Sequence, residues 1–367
     1  MVINSTNLKQ TLLVFVFVFI SAEQIQAQND STFQKPTFAV LPLVYFTPET
    51  SWAFGVGAVT NFKMGGSSEN TFESQVAVGF AYTLFDQVLS FSSWRLFTKE
   101  NKNLFAGELG WYDYVYFFYG VGNEIREQDR ESFDARLPRL RFDYLRKVSA
   151  NLYAGFRYHF DNFDIRRVEP SGLLESGLYH GLEGGTVSGF GPMLYYDSRD
   201  SQLYPTSGTF AESSLQYFNS AIGSDFRYWR WVVDFRKVHQ IKENQHFAWQ
   251  AYSEIQAGDP PFFLLSQMGG NRLMRGLFEG KFRDNNMAAI QGEYRWKFLP
   301  RWGLVGFAGL GNVYSNDRPF QIQNTMATYG LGGRFKLSKR EKLNLRLDLA
   351  HSPGEEFRFY LTFGEAF

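Results

Sequence analysis

From Thr37 to Phe367, hydrophobic and polar residues alternate with a period of two, in segments of about ten to fourteen residues separated by clusters of Gly, Asn, Asp, Ser and Pro. The pattern is cleanest near the end of the chain. There Leu343, Leu345, Leu347 and Leu349 share one face, and Lys342, Asn344, Arg346 and Asp348 share the other. Residues 286–298 repeat it, with Ile290, Tyr294, Trp296 and Phe298 set against Gln291, Glu293, Arg295 and Lys297. Trp229, Trp231, Val233 and Phe235 alternate with Arg230, Asp234 and Arg236 in the same way. A soluble antiparallel sheet with one wet face shows the same alternation, so one segment decides nothing. The repetition decides. Segments fall near 37–47, 51–63, 71–83, 87–99, 102–112, 134–147, 149–163 and 187–198, then 207–219, 226–239, 245–257, 286–299, 302–314, 326–337, 341–351 and 355–364. They predict an all-β fold, a transmembrane antiparallel β-barrel of about sixteen strands, with fourteen as the alternative; single-chain bacterial barrels use even numbers. In the fourth segment Leu89, Phe91, Trp94 and Leu96 fall out of step, which predicts a slipped register or bulge near Ser93.

Links between segments alternate in length. Tight ones, such as Ser338 to Arg340 and Pro300-Arg301, are set against long ones at 113–133, 164–186 and 258–285. Short turns belong on the periplasmic side of such a barrel and long loops outside. Composition strengthens the membrane reading: 18% of the chain is aromatic, while mean hydropathy is only −0.28. A barrel in lipid shows apolar faces outward and polar faces inward on the same strands, so hydropathy averages out while aromatics gather in interfacial girdles. Basic and acidic residues balance at 37 each, which gives no pull toward nucleic acid. With no cysteine there is no disulfide framework, no thiolate metal site and no lipidated anchor.

At the N-terminus Lys9 precedes an apolar run from Leu12 to Ile20, and Ile25-Gln26-Ala27 offers a small residue for cleavage. The run is about half of what a spanning helix needs. The expected organisation is therefore a signal peptide over 1–27, a short segment over 28–36 and a barrel over 37–367.

Four stretches carry more specific information. The loop 258–285 holds Gly269-Gly270-Asn271-Arg272-Leu273-Met274-Arg275-Gly276-Leu277. Tyr196-Asp197-Ser198-Arg199-Asp200 is followed by Tyr204-Pro205-Thr206-Ser207-Gly208, where Pro and Gly suit a chain reversal. Tyr119-Gly120-Val121-Gly122-Asn123 precedes the sixth segment, and the chain ends in Phe357-Arg358-Phe359-Tyr360-Leu361-Thr362-Phe363-Gly364-Glu365-Ala366-Phe367. Over residues 119–367 this series resembles the BamA/TamA family of outer-membrane barrels, the bacterial surface antigens related to two-partner-secretion transporters. Their inward-folded loop carries a glycine pair followed by Arg-Gly-aromatic. Leu277 stands where the aromatic is usual.

The resemblance implies that Arg275, beside Gly269, Gly270 and Gly276, reaches into the lumen to acidic wall residues. Glu293 points inward by its alternation and is the expected partner, since an arginine–carboxylate pair can be bidentate. The second acidic position of the family falls at Gly309, so half of that lock is missing. Asp197, Arg199, Asp200, Pro205 and Gly208 correspond to the family's strand-to-turn motif, and Phe363 and Phe367 to the C-terminal assembly signal. Members that fold or secrete proteins carry periplasmic POTRA domains. Residues 28–36 leave no room for one, and client capture through such domains is not expected.

No catalytic or metal constellation appears. His159, His180, His239, His246 and His351 are scattered without metal-ligand spacing, and no Gly-x-Ser-x-Gly elbow occurs. The expectation is no enzyme activity, no cofactor and no metal. Three functions compete: a barrel that assists insertion or translocation of protein or lipid through a movable loop or a weak first-to-last seam; a passive or loop-plugged pore tuned by Arg346, Asp348, Glu293 and Arg295; and an anchor for a separate periplasmic protein. The expected partners are outer-membrane lipid, the assembly machinery that inserts the barrel itself, and such a periplasmic protein.

Overall fold

The computed structural model describes residues 36–64, 71–201, 204–338 and 343–367. The expected signal peptide and nearly all of the 28–36 segment lie outside these residues, as does most of the link after Ser338. The strands are β1 (Thr37–Thr47), β2 (Ser51–Phe62), β3 (Ser74–Thr83), β4 (Val88–Phe97), β5 (Asn103–Phe118), β6 (Glu131–Lys147), β7 (Leu152–Val168), β8 (Gly185–Asp197) and β9 (Gly208–Phe218). They continue as β10 (Tyr228–Lys242), β11 (Gln245–Gly258), β12 (Ser266–Met268), β13 (Phe282–Asp284), β14 (Asn286–Lys297), β15 (Trp302–Tyr314), β16 (Met326–Ser338), β17 (Leu343–His351) and β18 (Arg358–Phe363). All except β12 and β13 form a closed antiparallel barrel of sixteen strands, each paired with its sequence neighbours. β12 and β13 pair only with each other, inside the 259–285 loop.

The alternation of the sequence becomes the two sides of the wall. On β14 Ile290, Tyr294 and Trp296 are exposed outward, while Gln291, Glu293 and Arg295 are buried inside. On β17 Leu347 and Leu349 face out, and Asn344, Arg346 and Asp348 are buried. A closed barrel pairs its wall amides between neighbouring strands, and no described helix is long and apolar enough to cross a membrane.

Three sequence expectations are corrected. β4 carries no bulge: its register runs unbroken from Val88 to Arg95 against β3 and from Val88 to Phe97 against β5. The change of step at Ser93 arises because Phe91 faces the lumen and lies over Gly79, whereas Trp94 faces lipid over Gly107. The predicted long loops at 113–133 and 164–186 shrink to 119–130 and 169–184. Phe118, Phe133 and Phe163 bury against Phe262 and Phe263 at the base of the 259–285 loop, which gives those strand ends a partner and extends the pairing. Finally, the last strand ends at Phe363, and Gly364, at φ +78°, turns the terminal residues inward.

Candidate functional site

The 259–285 loop, hereafter the lumenal loop, folds into the barrel. Gly269, Gly270 and Gly276 all take positive φ, a conformation that disfavours side chains. At Gly276 a Cβ would also sit 3.0 Å from the backbone of His351, so glycine is what lets the loop approach the wall there.

Arg275 is fully buried at the tip. One terminal nitrogen lies 2.5 Å from Glu293 Oε2 on β14, and the other lies 2.6 Å from Asp348 Oδ2 on β17. The side chain therefore bridges two strands instead of forking onto one carboxylate. Its guanidinium stacks 3.6 Å from the ring centre of Phe307 on β15, which adds a cation–π contact. Both carboxylates have further partners: Arg295 Nε is 2.6 Å from Glu293, and Arg334 Nη1 is 2.6 Å from Asp348.

The second acid therefore exists, at Asp348 instead of Gly309. A Cβ at Gly309 would meet Met274 Sδ at 3.0 Å and Gln291 Cβ at 3.1 Å, so that position is cleared for the loop's own methionine. Alternation had placed Asp348 inward, but only the register β15–β16–β17 brings it across to Arg275.

Backbone contacts complete the hold. Gln291 accepts from Met274 N and donates to Arg272 O; Arg346 donates to Asn271 O at 2.7 Å. Gly276 N donates to the Tyr360 hydroxyl of β18 at 3.1 Å, and Glu279 N donates to Glu49, in the β1–β2 turn, at 3.0 Å. At its outer side, Lys281 pairs with Glu127 and Glu355, and Asp284 accepts from Arg318. The Tyr119-Gly120-Val121-Gly122-Asn123 stretch docks on it too, through Gly122 N to Arg283 O at 2.8 Å.

The strand-to-turn motif lies at the opposite end. Asp197 is paired with Arg199, Asp200 accepts from Thr206 and Ser207, and Gly208 opens β9 at φ +108°. Pro205 O accepts from Arg295 Nη1 at 3.2 Å, so this turn reaches the arginine that also holds Glu293.

The chain matches the Omp85 superfamily domain over residues 139–367, more than half of its length. It belongs to the Omp85 superfamily. Outer membrane protein assembly factor BamA of Nitratidesulfovibrio vulgaris is 25% identical over 184 residues, which are 45% of this chain and 23% of that protein. The match thus spans about a quarter of that relative. Among solved structures, BamA of Haemophilus ducreyi lacking POTRA domains 1–3 superposes with a TM-score of 0.59 at 14% identity, covering 90% of this chain and 70% of that one. CdiB of Acinetobacter baumannii gives 0.58 at 10% identity, over 89% and 59%. These last two establish a shared fold. The Omp85 chain is an integral β-barrel of the bacterial outer membrane.

Two features of this Omp85 barrel lie outside what the sequence suggested. Phe367 is not on a lipid-facing strand. It is buried in the lumen against Val238 and Ala248, its carbonyl oxygen accepts from Arg295 at 2.7 Å, and Glu365 pairs with Arg334 at 2.8 Å. Phe363 remains on β18, in register with Leu345. β1 and β18 share a single register pair, Phe46 with Leu361, against six between β17 and β18 and eleven between β1 and β2. Phe46 stacks on Phe359 at 3.9 Å, and Pro42, which has no N–H to give, lies along the thinly paired strand.

Among the described residues no group of three or more His, Asp or Glu side chains is placed to hold a metal ion.

Proposed function

We propose that this barrel assists insertion or translocation of a polypeptide at the outer membrane, with the β1–β18 seam as the element that opens and the lumenal loop as its governor. The observation that carries this reading is the single register pair at the seam, in a wall whose other junctions are zipped along their length. A strand edge with unmet N–H and C=O groups is a template for another chain. The relationship to an outer membrane protein assembly factor supports the same class of role. A passive pore fits less well, because Glu293, Arg295, Arg346 and Asp348 are buried in mutual contacts and loop contacts instead of lining a wet channel.

The test uses the absence of native cysteine. Directly opposed residues in an antiparallel pair lie within disulfide range, so Phe46→Cys with Leu361→Cys should cross-link on oxidation. In liposomes, the reduced protein is expected to accelerate insertion of a urea-unfolded client barrel, and the oxidised form to lose that acceleration. Equal rates in the two forms would remove the seam from the mechanism. No acceleration by wild type, with a stable periplasmic protein co-purifying, would favour the anchor.

A further inference from the structure

At the end of the barrel that carries the short turns, a cleft opens where β14, β15 and β16 end. It is lined by Trp296, Lys297, Arg301, Trp302, Gly303 and Arg334, among others. Its free space is about 50 Å³, enough for several waters or one tetrahedral oxyanion. Gly303 leaves it open: a Cβ there would come to 3.2 Å from Trp296 O and 3.5 Å from Arg334 Cβ.

The charge of the cleft is one-sided. Arg295 and Arg334 are matched by Glu293 and Glu365. Lys297 and Arg301 have no carboxylate partner among the described residues, and both are exposed at the rim. Arg334, though 5% exposed, keeps one terminal nitrogen, Nη2, with no hydrogen-bond partner. Among the described residues the one carboxylate that lines this space is Glu365, which is already held by Arg334 and Asn344, so the two exposed cations at the rim are left without a counter-anion.

The surroundings identify the source of that anion. Trp296 and Trp302 are about half exposed on the lipid side of the same strand ends, with Leu304 and Leu331 exposed farther along the wall. Indole rings at a barrel rim sit at headgroup level, and basic residues beside them attract anionic headgroups. We propose that this cleft binds one anionic phospholipid of the periplasmic leaflet at its rim, its phosphate between Lys297 and Arg301, its acyl chains along the Trp302–Leu304 wall. Lys297 and Arg301 take no part in the lumenal lock or the seam.

The test is native mass spectrometry of the full chain in detergent, offered phosphatidylglycerol and phosphatidylcholine in equal amounts. Wild type should retain one phosphatidylglycerol in preference to phosphatidylcholine, and excess inorganic phosphate should not displace it. Lys297→Gln with Arg301→Gln should weaken retention about thirtyfold, the equivalent of ~2 kcal/mol for two interfacial cations. Equal retention of the two lipids, unchanged retention in the double variant, or displacement by inorganic phosphate would each overturn the proposal. Should the variant fail to fold, the wild-type response to salt decides. Retention must weaken as salt rises, and insensitivity to salt would overturn the assignment.

Discussion

Replacing Arg275 by alanine tests the lumenal lock directly. The guanidinium is 1% exposed and both carboxylates are fully buried, so the variant leaves two desolvated negative charges short of a partner. Breaking one partner out of a buried ion pair costs about 3–5 kcal/mol. Here Glu293 keeps Arg295 and Asp348 keeps Arg334, each at 2.6 Å, which places the cost near the lower end, about 3 kcal/mol. That figure corresponds to roughly a hundredfold rise in the population of the undocked loop. Around the tip the loop keeps hydrogen bonds from Gln291, Arg346 and Tyr360 to its backbone, and at its outer side the ion pairs of Lys281 and Asp284, so the loosening is expected at the tip. The assay is limited proteolysis of the folded barrel in detergent, reading cleavage within 258–285. Arg275→Ala should be cut far faster than wild type at unchanged barrel integrity. Arg275→Lys, which cannot reach two strands with one point charge, should fall between them. Equal protection in wild type and the alanine variant would refute the idea that the ion pairs hold the loop.

Other outcomes follow from the same geometry. Gly309→Asp, which puts an acid where the family resemblance expects one, should destabilise the barrel by about 1–3 kcal/mol through overpacking against Met274, read as a lower heat-modifiability temperature; a rise would show that the site had room. Desolvation in the lumen and the neighbouring Glu49 push the Glu279 carboxyl up to about 7 from 4.5. An acid whose value is raised on docking favours the docked loop below its ordinary value and loses that contribution as pH rises through the raised one. Loop protection should therefore fall between about pH 5 and 8, and Glu279→Gln should flatten the profile. Because Glu279 is exposed to the lumenal cavity, the effect should be modest, and a profile unchanged by the substitution would assign it elsewhere.

The wall was legible because its physics is local. Period-two alternation states which side of each strand meets lipid, and it placed Glu293, Arg295, Arg346 and Asp348 inward without any structure. What alternation cannot supply is which inward residues meet. Asp348 lies 73 residues from Arg275 in the chain, and the two come together only through the register of four strands. The loop motif named the arginine, but the family pattern pointed to position 309 for the second acid. The structure shows the load carried by β17, with position 309 given over to Met274. The inward course of the tail was not legible for a related reason. Alternation from Phe357 to Phe363 continues plausibly to Phe367, and nothing local reports that Arg295 and Arg334, on other strands, draw the last residues inward.

The thin seam and the crowded lumen belong to one arrangement. A barrel joined by a single register pair lacks most of the ladder bonds that close its neighbours, yet the two sides of this junction are also tied from within. Glu49, beside β1, accepts from Glu279 N, and Tyr360, on β18, accepts from Gly276 N three residues earlier in the same loop. The lumenal loop thus spans the junction as a staple, and Arg275 fixes the staple to β14 and β17. Below it, the tail is held by Arg295 and Arg334, which are the same two arginines that brace Glu293 and Asp348. Loop and tail are thus linked through those two arginines, and on the proposed function a chain that displaced the tail would disturb the bracing of the lock and with it the staple. Closure here rests on a few buried charges instead of a long row of backbone bonds. On the proposed function, such a junction would open by exchanging a small number of partners, a smaller change than unzipping a full strand.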